Sequence, residues 1–164
     1  MNRLNSLSFI NSSIINWKKT TFQWGETMSK ELEEGNQLQL DFRKIAKIAE
    51  TSPDVIPVAV QNADTGEVIL VAYTNEFAMR TSFEKKTLVL WSTSRKELWE
   101  KGATSGETFD LIEAYVNCEQ NSLVYKVRPK RGNICHTKNS SNVPRNCYYR
   151  RIDMQTLELE NIDP

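Results

Sequence analysis

Val55-Ile-Pro-Val-Ala-Val-Gln61 and Glu67-Val-Ile-Leu-Val-Ala-Tyr73 are two apolar runs separated by a turn sequence, Asp64-Thr-Gly66. β-Branched residues are frequent in both runs and favour strands, whereas Asp and Gly favour the turn between them. The stretch 55–73 therefore predicts a β-hairpin. A strand-rich domain can be built outward from this hairpin.

A short helix is predicted before the hairpin. Between Leu38 and Glu50 the apolar residues pass from alternate positions to helical spacing, which predicts a helix over roughly 41–50. The chain before it is different in composition, because no acidic residue precedes Glu26 and Ser, Asn and Thr are common. We expect residues 1–37 to be a poorly ordered extension and residues 38–164 to form the folded domain.

The chain after the hairpin combines one helix with several strands. Asn75 is a good N-cap for a helix that extends to about Lys85. Apolar runs then predict strands at 87–92, 109–117 and 122–128, the last two joined by a turn at 119–121. The predicted fold class is α+β, a strand-rich single domain with two short helices.

Length and charge restrict the class of protein. The chain has 164 residues, enough for one domain with a sizeable core, and 21 basic residues balance 21 acidic ones. This balance argues against a general nucleic-acid-binding surface, and no run of about 18 apolar residues predicts a membrane span. With no secretory signal recognised, we expect reduced cysteines and a cytoplasmic location.

Residues 116–151 contain all three cysteines, Cys118, Cys135 and Cys147, and the only histidine, His136. A catalytic zinc ion usually has three protein ligands and a fourth position for water, so this inventory suits a metal-dependent hydrolase. The gaps between the cysteines match no zinc-finger spacing, which argues against a purely structural zinc site. Three buried thiols without any role are the alternative.

His136 directly follows Cys135. Neighbouring side chains of an extended segment point to opposite faces, so we expect these two residues not to bind the same ion. His136 is then a candidate general base beside the metal, rather than a fourth ligand. The alternative is a hydrogen-bonded structural histidine.

A second polar stretch, Trp91–Gly106, combines hydroxyl side chains with Arg95, Lys101 and two glycines. Arginine offers paired donors to phosphate, and glycine lets the backbone approach a ligand closely. The stretch is therefore a candidate phosphate-binding loop. An ordinary polar loop would have a similar composition.

Five short motifs occur in order along the chain. They are Ala72-Tyr-x-Asn-Glu76, Trp91-Ser-x-Ser-Arg95, Leu98-Trp-x-Lys-Gly-x-Thr-Ser-Gly106, Cys135-His-Thr137 and Cys147-Tyr-Tyr-Arg150. In order and approximate spacing they resemble the phosphoribosyl-AMP cyclohydrolases of histidine biosynthesis. The resemblance covers roughly residues 39–152, and five ordered motifs are far more specific than any one of them.

The resemblance implies a hydrolase that opens the N1–C6 bond of the adenine ring of phosphoribosyl-AMP. It also implies an intertwined homodimer in which both subunits supply the three cysteines that hold zinc, and these match Cys118, Cys135 and Cys147. His136 matches the histidine after the second cysteine and is expected to be catalytic. The segment expected to bind the ribotide contains the following candidates: Trp91, Ser92, Ser94, Arg95, Lys101, Thr104 and Ser105.

The resemblance is weakest around the first cysteine. Family members usually have Asp-Cys-Asp-x-Asp, three carboxylates that bind magnesium, whereas this chain has Asn117-Cys118-Glu119-Gln120-Asn121. Magnesium relies on carboxylate and phosphate oxygens, so we expect a weak magnesium position at Asn117, Glu119 and Asn121.

A second departure is an insertion between Cys135 and Cys147, at residues 138–146, which contains Pro144. The entropy cost of closing a loop grows slowly with its length, so we expect zinc binding to tolerate these residues. A loop beside the metal can nevertheless reshape the pocket.

Three functions therefore remain open. The chain can be the histidine-pathway cyclohydrolase, a paralogue that hydrolyses a related purine ribotide, or a non-catalytic dimer in which zinc only joins the subunits. The three cysteines and the Cys135-His-Thr137 triplet favour an enzyme. The missing carboxylates favour a divergent one.

Overall fold

The computed structural model describes residues 26–132 and 134–164, with side chains from Lys30 onward. The chain divides into two units, Met1–Glu34 and Gly35–Pro164. The first contains one described helix, α1 (Glu26–Glu34). The described elements of the second are α2 (Lys44–Thr51), β1 (Ile56–Asn62), β2 (Val68–Thr74), α3 (Glu76–Lys85), β3 (Val89–Ser92), β4 (Glu97–Glu100), β5 (Phe109–Val116), β6 (Leu123–Pro129), β7 (Arg150–Ile152) and β8 (Leu159–Asn161).

The main sheet has four strands in the order β2-β1-β6-β5. The β1–β2 and β5–β6 pairs are antiparallel hairpins, as predicted, and β1 and β6 pair in parallel. Val58 and Val60 alternate with more exposed residues along β1 and are fully buried. One face of the sheet therefore covers the hydrophobic core.

The core is formed by residues from both hairpins and from the chain segment of β3. Its buried members are Val58, Val60, Ile69, Leu70, Ala72, Leu88, Leu90, Phe109, Tyr125 and Val127. A buried hydroxyl fixes α3 beside β3, because Ser82 Oγ donates to the Val89 carbonyl at 2.6 Å and accepts from the Val89 N–H at 2.8 Å. The β3–β4 hairpin is thereby held at a defined position.

Both predicted helices are present with small shifts. The helix expected over roughly 41–50 is α2, and the helix capped by Asn75 is α3, whose N-cap side chain accepts from the Ala78 N–H at 2.9 Å. The prediction of only two helices was wrong, because α1 is a third within the described residues. Of the predicted extension 1–37, residues 1–25 lie outside the described part of the chain.

Strands β4, β7 and β8 were not predicted. Each has only three or four residues, of which one or two are charged, so alternation of apolar and polar residues does not identify it. Among the helices that the structure describes, none is long and apolar enough to cross a membrane.

Candidate active site

The insertion between Cys135 and Cys147 forms its own small hairpin. Lys138 and Pro144 form a β-bridge, and the Asn139 N–H donates to the Val143 carbonyl at 2.9 Å. Asn142 closes the turn with φ +62°, a left-handed conformation that asparagine tolerates. The inserted residues therefore lead the chain back on itself and bring the two cysteines together.

Cys135 and Cys147 form a hydrogen-bonded thiol pair. The shared bond to Cys147 is the main reason why the pKa of Cys135 falls to about 4, and the Thr137 hydroxyl, which donates to the Cys135 sulfur at 3.4 Å, contributes to it. The same bond raises the pKa of Cys147 far above its usual range. Cys147 is an exposed residue, and its bond to Cys135 is the largest cause of this rise in pKa. The hydrogen bond therefore favours the thiolate form of Cys135 and the thiol form of Cys147.

The structure places His136 next to this pair. Its Nδ1 atom lies 3.7 Å from the Cys135 sulfur, and His136 contributes slightly to lowering the pKa of Cys135. The expectation that the two side chains point to opposite faces was wrong, because the chain bends at His136 instead of continuing as a strand. His136 is exposed and can contact a ligand at the thiols.

Cys118 lies away from the pair, in the turn between β5 and β6, and is exposed. No group of three potential metal ligands among His, Cys, Asp and Glu forms within the described part of one chain. A single chain thus brings two of the three predicted zinc ligands together and not the third.

The predicted magnesium position forms a closed hydrogen-bond network. Asn117 Oδ1 accepts from the backbone N–H groups of Asn121 and Ser122, at 2.9 and 3.0 Å. Asn117 Nδ2 donates to Asn121 Oδ1 at 2.8 Å, and Asn121 Nδ2 donates to Glu119 Oε2 at 3.0 Å. Asn117 Oδ1, Asn121 Oδ1 and Glu119 Oε2 therefore each already accept from an N–H donor. These residues therefore do not fit a magnesium ion.

Residues 91–106 form the β3–β4 hairpin and the loop after it, rather than one polar loop. An open cavity of about 440 Å³ lies against β4. Among the predicted substrate residues, Arg95, Thr104 and Ser105 line it. The β3–β4 turn is ordered by Ser92, whose Oγ accepts from the Arg95 N–H at 3.3 Å and lies 3.4 Å from Ser94 Oγ.

Four predicted substrate residues, Trp91, Ser92, Ser94 and Lys101, are not part of this cavity lining. Trp91 is in β3, paired with Leu98 of β4. The Lys101 ammonium lies over the rings of Trp99 and Phe109, at 5.7 and 5.5 Å from their centres, and its charge lowers the pKa of Cys147 slightly against the larger rise. Lys101 thus connects the substrate stretch to the thiol pair.

Gly102 allows the loop after β4 to fold tightly. It has φ +86°, and a Cβ atom there would lie 1.8 Å from the Glu107 carbonyl oxygen. The Gly106 N–H donates to the Gly102 carbonyl at 2.8 Å and closes the turn. Because only glycine fits position 102, the loop holds Thr104 and Ser105 at the cavity.

Sequence reasoning missed several residues at the site. Glu97 and Trp99 line the cavity, and Glu97 binds Arg95 at 2.6 Å. The four-residue run Glu97-Leu-Trp-Glu100 has no alternation of polar and apolar residues, so it gave no strand signal. Arg145, which is buried in the insertion, had no pattern that could identify it.

Comparison with known proteins identifies the family of the chain. The sequence profile of the phosphoribosyl-AMP cyclohydrolase family matches residues 70–149. The phosphoribosyl-AMP cyclohydrolase of Archaeoglobus fulgidus is 41% identical over 99 residues, which are 60% of this chain and 86% of that protein. The one from Hyphomonas neptunium is 41% identical over 105 residues, 64% of this chain and 76% of that protein.

A longer relative is the histidine biosynthesis bifunctional protein HisIE of Aquifex aeolicus, 38% identical over 104 residues. The match covers 63% of this chain and 48% of that protein, so the chain spans about half of it. Together these comparisons define the class of protein as a hydrolase. The chain belongs to the phosphoribosyl-AMP cyclohydrolase family.

Proposed function

We propose that the protein hydrolyses the N1–C6 bond of the adenine ring of phosphoribosyl-AMP, a step of histidine biosynthesis. Family membership supports the reaction. The observation that carries the proposal is the Cys135–Cys147 pair, in which hydrogen bonding favours the thiolate of Cys135, with His136 beside it and Lys101, the residue after β4, near Cys147. Such a constellation suits hydrolysis better than a structural role.

Zinc is the metal that this donor set fits. Thiolates are soft ligands that zinc accepts, and the lowered pKa of Cys135 means that one ligand needs little further deprotonation. We assign Cys135 and Cys147 of one chain and Cys118 of a second chain as its ligands. Zinc bound by three protein ligands supplies Lewis-acid chemistry that makes water a nucleophile at neutral pH.

The residues around the thiols have separate tasks. His136 accepts a proton at its imidazole as water attacks C6, and returns a proton to N1 as the ring opens. Arg95, Thr104 and Ser105 bind phosphate in the β3–β4 cavity. The exposed Arg95–Glu97 ion pair is weak, so a doubly charged phosphate can replace Glu97 as the partner of Arg95.

Two features support the participation of a second chain. Cys118 lies away from the thiol pair, and an edge strand of the main sheet exposes apolar side chains. β5 is an edge strand of the main sheet and carries Ile112, Tyr115 and Val116, which are 45%, 49% and 56% exposed. Edge strands with apolar side chains are suited to pairing with another chain. We propose a homodimer that covers this edge and completes each zinc site with Cys118 of the partner. Its free cysteines suit a reducing compartment, and we propose the cytoplasm.

A mixed dimer tests the shared zinc site directly. Neither Cys118→Ser nor Cys135→Ser homodimers have three ligands at any site. A mixed dimer of the two variants has one complete site if Cys118 acts across the interface, and none if all ligands come from one chain. We expect unfolding and refolding of the mixture to restore zinc in about half of the chains of mixed dimers. No restored zinc, with mixed dimers demonstrated by a mass tag, would contradict the shared site.

Activity is tested with purified protein and phosphoribosyl-AMP, by following the ultraviolet absorbance of the opened ring. We expect turnover that a zinc chelator abolishes and added zinc restores. A chain with zinc but no turnover would contradict the proposed substrate.

One observation favours a second candidate, a paralogue that hydrolyses a related purine ribotide. The neutral network of Asn117 and Asn121 replaces carboxylates beside a thiol ligand, which changes the charge that a substrate would meet. Turnover of another ribotide, in preference to phosphoribosyl-AMP, would establish it. Zinc and dimerisation with no ribotide turnover at all would leave the non-catalytic dimer.

A further inference from the structure

Arg145 is a buried arginine within the inserted hairpin. Arg145 is only 5% exposed, and its Nε donates to the Asp163 carbonyl at 2.7 Å. Its guanidinium lies over the ring of Tyr149, 4.5 Å from the ring centre, and Tyr149 is itself 6% exposed. A buried guanidinium is costly unless such contacts compensate it, so its position is strongly fixed.

The backbone of Arg145 is hydrogen-bonded to the segment that carries Cys135. Its carbonyl accepts from the Cys135 N–H at 3.1 Å, and its N–H donates to the Thr137 carbonyl at 3.0 Å. Arg145 therefore faces the Cys135-His-Thr137 triplet across a short antiparallel bridge. Two residues later the chain reaches Cys147. The separation of the two thiols thus depends on where Arg145 sits.

The end of the described chain supports the same hairpin. Pro164 accepts from both the N–H and the hydroxyl of Ser140, at 3.1 and 3.0 Å. Asn139 Nδ2 donates to Asp163 Oδ1 at 3.0 Å, and the Ile162 N–H donates to the Tyr149 carbonyl at 2.9 Å. Residues 162–164 therefore bind the turn of the insertion, the Arg145 side chain and the segment after Cys147.

We propose that Arg145 is a positioning residue for the zinc ligands Cys135 and Cys147, and that residues 163–164 are its anchor. The inference rests on the zinc site proposed above. Groups that orient metal ligands typically contribute about 10–100-fold to metal affinity. The insertion then has a function of its own, because it supplies the buried arginine that sets the spacing of the two thiols.

The test compares zinc affinities by competition with a chromophoric chelator, at a temperature well below unfolding. Arg145→Met keeps an unbranched stem on Tyr149 but loses the N–H donor, and we expect about 10–100-fold weaker zinc binding. Arg145→Lys keeps a donor and a charge, so its loss should be smaller. The matched control is Arg151→Met, which removes an exposed arginine paired with Glu160 in the neighbouring strand and should leave zinc affinity unchanged.

A chain that ends at Ile162 tests the anchor. It should weaken zinc binding like Arg145→Met, and the double variant should be no worse than the more severe single one, because both remove the same link. Equal zinc affinity of wild type and Arg145→Met overturns the positioning role but leaves the zinc site intact. A wild type without zinc overturns both. If Arg145→Met does not fold, the Arg145→Lys chain and the shortened chain decide by the same criterion.

Discussion

One chain contributes two parts of the candidate site, the Cys135–Cys147 thiol pair and the turn between β5 and β6. The two parts differ in their charge and in how their polar groups are hydrogen-bonded. At the pair, the hydrogen bonds from Cys147 and from the Thr137 hydroxyl lower the pKa of Cys135 and so favour its thiolate. At the turn, Asn117, Glu119 and Asn121 bind one another through N–H groups. The pair is arranged to receive a cation, and the turn is not.

This comparison indicates a structural role for the turn between β5 and β6. It carries Cys118, and the Asn117 side chain fixes the backbone at both Asn121 and Ser122. Carboxylates at positions 117 and 121 could not donate the hydrogen bonds that the two amides donate. The amides therefore keep closed the turn that carries Cys118.

The largest effect is expected from removing a sulfur of the pair. Cys135→Ser removes the thiol whose pKa is lowered by the hydrogen bond to Cys147. The serine hydroxyl that replaces it does not ionise near neutral pH. We expect purified Cys135→Ser protein to contain no zinc and to have no measurable hydrolytic activity. Metal analysis by mass spectrometry, together with circular dichroism to verify folding, measures this. Zinc retained at the wild-type ratio would contradict the thiol pair as a metal site.

The next largest effect is expected from substituting His136. The substitution distinguishes a role as zinc ligand from a role in proton transfer. His136→Ala should keep zinc but reduce kcat by about 10²–10⁴-fold, because general acid–base assistance is typically of that size. His136→Gln is the matched control, since it retains hydrogen bonding but cannot carry a proton in the same way, and should be nearly as slow. A loss of zinc in proportion to activity would show that His136 is a zinc ligand. This outcome is tested because His136 Nδ1 lies 3.7 Å from the Cys135 sulfur.

A smaller effect is expected from the hydroxyl that supports the thiolate. Thr137→Val removes the Oγ1–H···Sγ bond to Cys135 at 3.4 Å with little change in volume. We expect zinc affinity to fall by up to roughly tenfold, at the lower end of the range for groups that orient metal ligands. Thr81→Val, which removes a hydroxyl bonded within α3, is the control. Equal affinities in the two variants would show that the hydroxyl has no influence on the metal.

The same two regions show what sequence could predict. The hairpins and the cap at Asn75 follow from local patterns, and the structure confirms them. The parallel pairing of β1 with β6 joins segments more than 60 residues apart, and no local pattern determines it. The short charged strands β4, β7 and β8 were missed because their pairing depends on neighbours rather than on their own composition.

At the site, residue type was more predictable than geometry. Three cysteines and a histidine indicated a metal-dependent hydrolase, and the zinc ligands stay a prediction. The rule of alternating faces failed at His136 because it applies to strands and the chain bends there. Lost charge predicted a weak magnesium position, and this stays a prediction. The donated amide bonds that fill it, and the buried Arg145, required the structure.

The smallest effect is expected for magnesium, and it tests the comparison most directly. In the wild type the amides occupy the oxygens, so activity should change little between chelator-treated protein with zinc restored and the same protein with millimolar magnesium. Asn117→Asp/Asn121→Asp adds two negative charges and removes two donors, so the turn should open and gain magnesium affinity, because magnesium prefers carboxylate oxygens. Calorimetric titration of both proteins measures binding, and activity with each ribotide measures its consequence. Tight, obligatory magnesium in the wild type, unchanged by the two aspartates, would mean that the turn never depended on those charges.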